Sequence, residues 1–75
     1  MTSLHEFYRG GAGRAKASKE RYCQAIFNHL SILRPDLSEQ VRGTDIDPFY
    51  LQSPNGPKWD RFVEFIETRW YNSKP

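Results

Sequence analysis

The chain carries one cysteine, Cys23, and two histidines, His5 and His29. Cys23 and His29 are the natural nucleophile and base to test first. Six positions apart on one predicted helix, they stand roughly 240° apart around its axis, so the thiol cannot be activated by the imidazole. His29 falls on an apolar helix face, where a hydrogen-bonded core histidine is the common role. Asp45 and Asp47 lie two apart beside Pro48. Paired carboxylates can do acid–base or metal work, but an aspartate directly before proline ordinarily caps a turn, and no third ligand is evident nearby. The glycines of "GGAGRAKAS" invite comparison with a phosphate loop. A Walker A loop needs G-x-x-x-x-G-K-[ST] after a hydrophobic strand, and both the lysine–hydroxyl juxtaposition and the strand are missing. We therefore expect no enzyme, no catalytic residue, no cofactor and no metal.

What remains of that stretch is charge. Residues 1–21 hold five basic and two acidic residues, a net of +3, whereas residues 22–75 hold six basic and seven acidic, a net of −1. The pattern is that of a basic arm on a near-neutral domain. Arg9 to Ala17 contains no large aliphatic residue, and Gly10, Gly11 and Gly13 raise the entropy lost on ordering. Residues 1–17 are expected to be a flexible, mostly disordered Gly-rich arm, with residues 18–75 as the folded domain. Arg9, Arg14, Lys16 and Lys19 in such an arm can pair with phosphates or with an acidic protein surface, with a gain that salt erodes.

The body reads as helical. A first helix is expected from about Lys19 to Leu33, capped by Ser18 and stopped by Pro35, with Tyr22, Ala25, Ile26, His29, Leu30 and Leu33 on one face. Cys23, Phe27 and Ile32 widen its apolar arc, which suits a central helix contacted on two sides. "DLSE" reads as a capping box, Asp36 at the N-cap and Glu39 at N3, opening a short second helix that ends at Gly43. Residues 44–57 read as a loop with a single turn begun at Pro48, folding Ile46, Phe49, Tyr50 and Leu51 back on the core. Pro57 fits the first position of a third helix, whose Trp59, Phe62, Val63, Ile66 and Trp70 make one stripe. No segment alternates as a strand. The expected fold is a mainly α, small bundle of about three helices with a disordered basic N-terminal arm.

Seventy-five residues make one domain with a thin stability margin. One cysteine permits no internal disulfide and suits a reducing compartment. No apolar run in residues 1–16 could act as a signal sequence and none could span a bilayer, so a soluble, monomeric, cytoplasmic protein without a membrane partner is expected. Eleven residues are Phe, Trp or Tyr, and most are needed for the core. Phe65 and Tyr71 lie outside the clear stripe, as does Tyr50. With Arg69 beside them, Phe65 and Tyr71 are the expected anchors of a protein interface, next to the arm residues Arg9, Arg14, Lys16 and Lys19.

The opening "MTSLHEFYRGGAGRAKASKER", with the small size and aromatic-rich helical body, resembles small phage-encoded host-takeover proteins, of the kind that bind host RNA polymerase in Xanthomonas. No functional residue is carried over from that resemblance. It implies binding to polymerase subunits in the host cytoplasm, interference with σ-dependent initiation, and antitermination. Residue chemistry alone points to a non-enzymatic binding protein. A nucleic-acid-binding module with the arm on phosphates and a plain adaptor stay open beside it. The near-neutral body and the lack of an Arg/Lys-rich recognition helix weigh against the nucleic-acid module.

Overall fold

Ser3 and Glu6 begin the first helix. The Ser3 hydroxyl accepts from the Glu6 N–H at 3.1 Å while the Glu6 carboxylate accepts from the Ser3 N–H, a reciprocal capping box. The computed structural model describes residues 3–71, and helix α1 covers Leu4–Ser18. The expected flexible arm is thus corrected over most of its length; of the arm's residues, Met1 and Thr2 lie outside the described ones. The reason is tertiary. Phe7 is fully buried and Gly11 lies against Ile26 of the next helix, so packing offsets the entropy that the glycines add.

α1 ends at Lys19, whose φ of 60° is left-handed, and the chain turns through Glu20 into α2, Tyr22–Leu33. That turn displaces the expected start at Lys19 with Ser18 as cap. Ser18 instead donates its hydroxyl back to the Arg14 carbonyl and to Glu20, and Arg21 takes the N-cap position. Pro35 does stop α2, and it also opens α3, Pro35–Val41. The expected capping box at Asp36 is corrected accordingly, because proline at the first helical position places the cap at Arg34. Gly43 follows α3 with a φ of 77°.

Asp47 caps the loop as expected, one carboxylate oxygen accepting from the Phe49 N–H and the other from the Gly43 N–H. A single 3₁₀ turn, Pro48–Tyr50, follows, and α4 covers Pro57–Arg69 with Pro57 at its start. Among the described residues the architecture is four helices and no strand. α2 is the hub, with α1, α3 and the 3₁₀ turn all packed on it. The core joins Phe7 of α1, Cys23, Ile26, Phe27 and Leu30 of α2, Leu37 and Val41 of α3, and Trp59, Phe62, Ile66 and Trp70 of the last helical segment. Trp70 is 1% exposed and stacks on Phe7 with ring centroids 5.0 Å apart. Ile46, Phe49 and Leu51 fold back on this core as expected, whereas Tyr50 points out, 77% exposed.

Candidate protein-binding surface

α1 sits at the edge of the bundle, and its outer face follows from helical spacing. His5, Arg9, Ala12 and Lys16 recur at intervals of three and four, and all are exposed. Arg9 and Lys16 are two turns apart on that face, about 10 Å along the axis at 1.5 Å per residue. Lys19, also exposed, extends the positive charge past the helix end, where it opposes the partial negative charge of the terminal carbonyls. Glu6 lies close by but is engaged in the capping box.

Arg14 departs from this group. It stands about 140° around the axis from Arg9, where its guanidinium donates to Glu20 at 2.9 Å. Hydrogen bonds from Ser18, then from Asn28, together with the charge of Arg14, hold the Glu20 carboxyl below the usual range. Arg14 is therefore spent on the α1–α2 turn. Arg21 is spent similarly, donating to the Phe49 carbonyl at 2.8 Å. Of the four arm residues expected to bind, Arg9, Lys16 and Lys19 show no ion pair or side-chain hydrogen bond among the described residues.

Of the three expected α4-side residues, Phe65 is half-buried, and the Arg69 guanidinium lies 4.3 Å from its ring centroid. Tyr71 is 63% exposed, yet its hydroxyl accepts from the Leu4 N–H at 3.1 Å. That bond satisfies one of the open donors at the start of α1. It brings the end of α4 to the beginning of the basic helix, so Tyr71 borders the α1 face rather than a separate patch.

Two further groups have structural roles. Arg34 pairs with both carboxylate oxygens of Asp36, at 3.0 and 2.9 Å, and donates to the Trp70 carbonyl at 2.7 Å. Its guanidinium also lies 5.2 Å from the Trp70 ring centroid, clamping the α2–α3 junction to the end of α4. The hydrogen bond from Arg34 holds the Asp36 carboxyl low. The second is Tyr8, whose buried hydroxyl has no hydrogen-bond partner among the described residues. Burial, with Glu67 adding to it, pushes that hydroxyl up to about 12. Cys23 and His29, the nucleophile and base weighed first, serve packing. Burial raises the Cys23 thiol, and the His29 ring lies parallel to Phe7, centroids 6.1 Å apart.

No helix among the described residues is long and apolar enough to cross a membrane. No family model matches the chain, and neither a curated protein nor a solved structure matches it.

Proposed function

We propose that this chain is a small, non-enzymatic binding protein that engages an acidic protein surface through the outer face of α1. The observation that carries the reading is the division among its basic residues. Arg14, Arg21 and Arg34 are consumed by the fold, while Arg9, Lys16 and Lys19 stand exposed along α1 and its C-cap with no ion pair among the described residues. Cations left unpaired on a rigid element steer association and add affinity without a backbone ordering cost at binding. The resemblance to phage host-takeover proteins names RNA polymerase as the partner, with exclusion of σ as the route to inhibition and antitermination as a second effect. Binding would then take place in the host cytoplasm.

The test is binding of purified bacterial RNA polymerase, core and holoenzyme, to the wild type and to the triple variant Arg9→Ala, Lys16→Ala, Lys19→Ala. All three side chains are exposed, so the variant should melt like the wild type. Each exposed pair is worth about 0–1 kcal/mol, so together they should weaken the complex by up to roughly 3 kcal/mol at low salt, and less as salt rises. Unchanged affinity would remove α1 from the interface. Binding to cell extract that disappears on nuclease treatment would make the same face a nucleic-acid contact.

A further inference from the structure

A second surface lies away from the basic face. Phe27, Asn28 and Ser31 of α2, Arg42 after α3, and Asp47, Phe49 and Tyr50 of the loop line an open cleft of about 340 Å³; α1 contributes nothing to it. Its wall is an aromatic ladder. Phe27 meets Phe49 edge-on with centroids 5.9 Å apart, and Phe49 meets Tyr50 edge-on at 5.0 Å. Tyr50 is 77% exposed, and Ile32, one helical turn beyond Asn28 on α2, is 64% exposed. Of the two, Tyr50 lines the cleft.

The polar lining is asymmetric. Asp47 has one oxygen on the Gly43 N–H and the other on the Phe49 N–H. Asn28 donates its amide to Glu20 at 2.7 Å, and Ser31 donates to the Phe27 carbonyl. Arg42 is different. Its guanidinium lies 5.8 Å from the Phe27 centroid, and its ion pair among the described residues is with Glu39 at 3.7 Å, beyond good hydrogen-bond distance. The Asp47 carboxylate of the same cleft is taken up by two backbone N–H groups. The fold has therefore left one planar, bidentate cation with donors to spare at the rim of an aromatic cleft. A carboxylate is the group that matches it.

We infer that this cleft docks a short segment of a partner protein in which an aromatic side chain neighbours an aspartate or glutamate. The ring packs against the exposed Tyr50 and the neighbouring Phe49, with the buried Phe27 as the floor, and the carboxylate pairs with Arg42. Exposed Tyr and Arg around a small pocket are the residue types that dominate interface energetics, and the volume lies at the small end of ligand sites, enough for one or two side chains. The site is independent of the α1 face and stands or falls separately from it.

The experiment titrates ¹⁵N-labelled protein with a capped heptapeptide alternating glutamate and phenylalanine, followed by amide and Arg Nε resonances. A second peptide replaces each glutamate with lysine. The acidic peptide should shift Asn28, Ser31, Gly43, Phe49 and Tyr50 amides and the Arg42 Nε, and the lysine peptide should not. Arg42→Ala should weaken binding about 5-fold or more and Tyr50→Ala about 10-fold or more. Both side chains are exposed, so the fold should persist, as an unchanged melt would show. The triple α1 variant should still bind at the cleft. Equal shifts with the lysine peptide, shifts confined to His5–Lys19, or no shift at millimolar peptide would each overturn the proposal.

Discussion

Three glycines in one helix do three different things, and the neighbours of each decide which. A Cβ on Gly13 would meet nothing within 4 Å, so Gly13→Ala should raise stability by about 0.5–1 kcal/mol through helix propensity alone. A Cβ on Gly11 would come within 2.4 Å of the Ile26 Cδ1, and Ile26 is fully buried with nowhere to move. Gly11→Ala should destabilise by about 1–3 kcal/mol, as overpacking does. A Cβ on Gly10 would meet the His29 ring tip at 2.4 Å, but that ring is only half-buried and can swing away. Gly10→Ala should fall between the other two, and urea melts of all three variants check the order. His29 itself carries a pH dependence. Burial first, and then the charge of Arg14, hold its imidazole below the ordinary value of 6.5. The unfolded chain therefore takes up the proton first as pH falls. Stability should be full above about pH 6.5 and decline below it until the folded ring also protonates. His29→Gln should flatten that part of the profile, and direct NMR titration of His29 should give a midpoint below the ordinary imidazole value of 6.5.

At the scale of elements, α1 is the segment whose order depends on its neighbours. Its N-terminus is closed by the capping box and the Tyr71 hydroxyl, and its inner face by Phe7 and the close approach to α2. Heteronuclear NOE values across Gly10–Ala17 should match those of α4, while a peptide of residues 3–20 should be largely unfolded, since a short glycine-containing helix is marginal in water. Low NOE values across Gly10–Ala17 in the full chain would show that the packing does not hold α1. The other end of α1 is closed by Lys19 in a left-handed conformation that a side chain resists. Lys19→Gly should accordingly raise stability by up to about 1 kcal/mol, read from the same melts.

Across the whole molecule, Phe7 and Trp70 join the first helix to the end of the last. Trp70→Ala should cost about 3–5 kcal/mol, comparable with the entire stability of so small a domain. Its circular-dichroism melt should lose cooperativity at 25 °C. Deleting residues 1–17 removes Phe7 and uncovers Trp70 and Ile26, so the truncated chain should fail to fold cooperatively. A cooperative melt of that truncation would return α1 to the status of an appendage. The acid side has its own signature. The Asp36 and Glu20 carboxyls are both held low, so the stability they contribute is present above about pH 4 and is lost as pH falls through their folded values. That loss is distinct from the one due to His29 at higher pH.

Periodicity and punctuation alone determined the helical class, the apolar arc of the central helix through Cys23 and Phe27 (Ile32, expected in it, faces solvent), the stop at Pro35, the Asp47 turn and the Trp59–Trp70 stripe. Each rests on interactions local in sequence: 3.6-residue spacing, a proline's missing N–H, a carboxylate two residues from the N–H it accepts. The state of residues 4–18 was decided elsewhere. Glycines read locally are an entropy cost, and only the surface of α2 turns Gly10 and Gly11 into places where two helices approach. The same holds for the charges. Arg14 and Arg9 are equivalent in the sequence, but Glu20, brought back by the turn at Lys19, takes one and leaves the other facing solvent. The aromatic cleft with Arg42 draws on residues 27–50, and its meaning appears only when α2, the end of α3 and the 3₁₀ turn share one surface. A side chain's partners are set by distances through space, which spacing along the chain cannot report beyond a turn or two of helix.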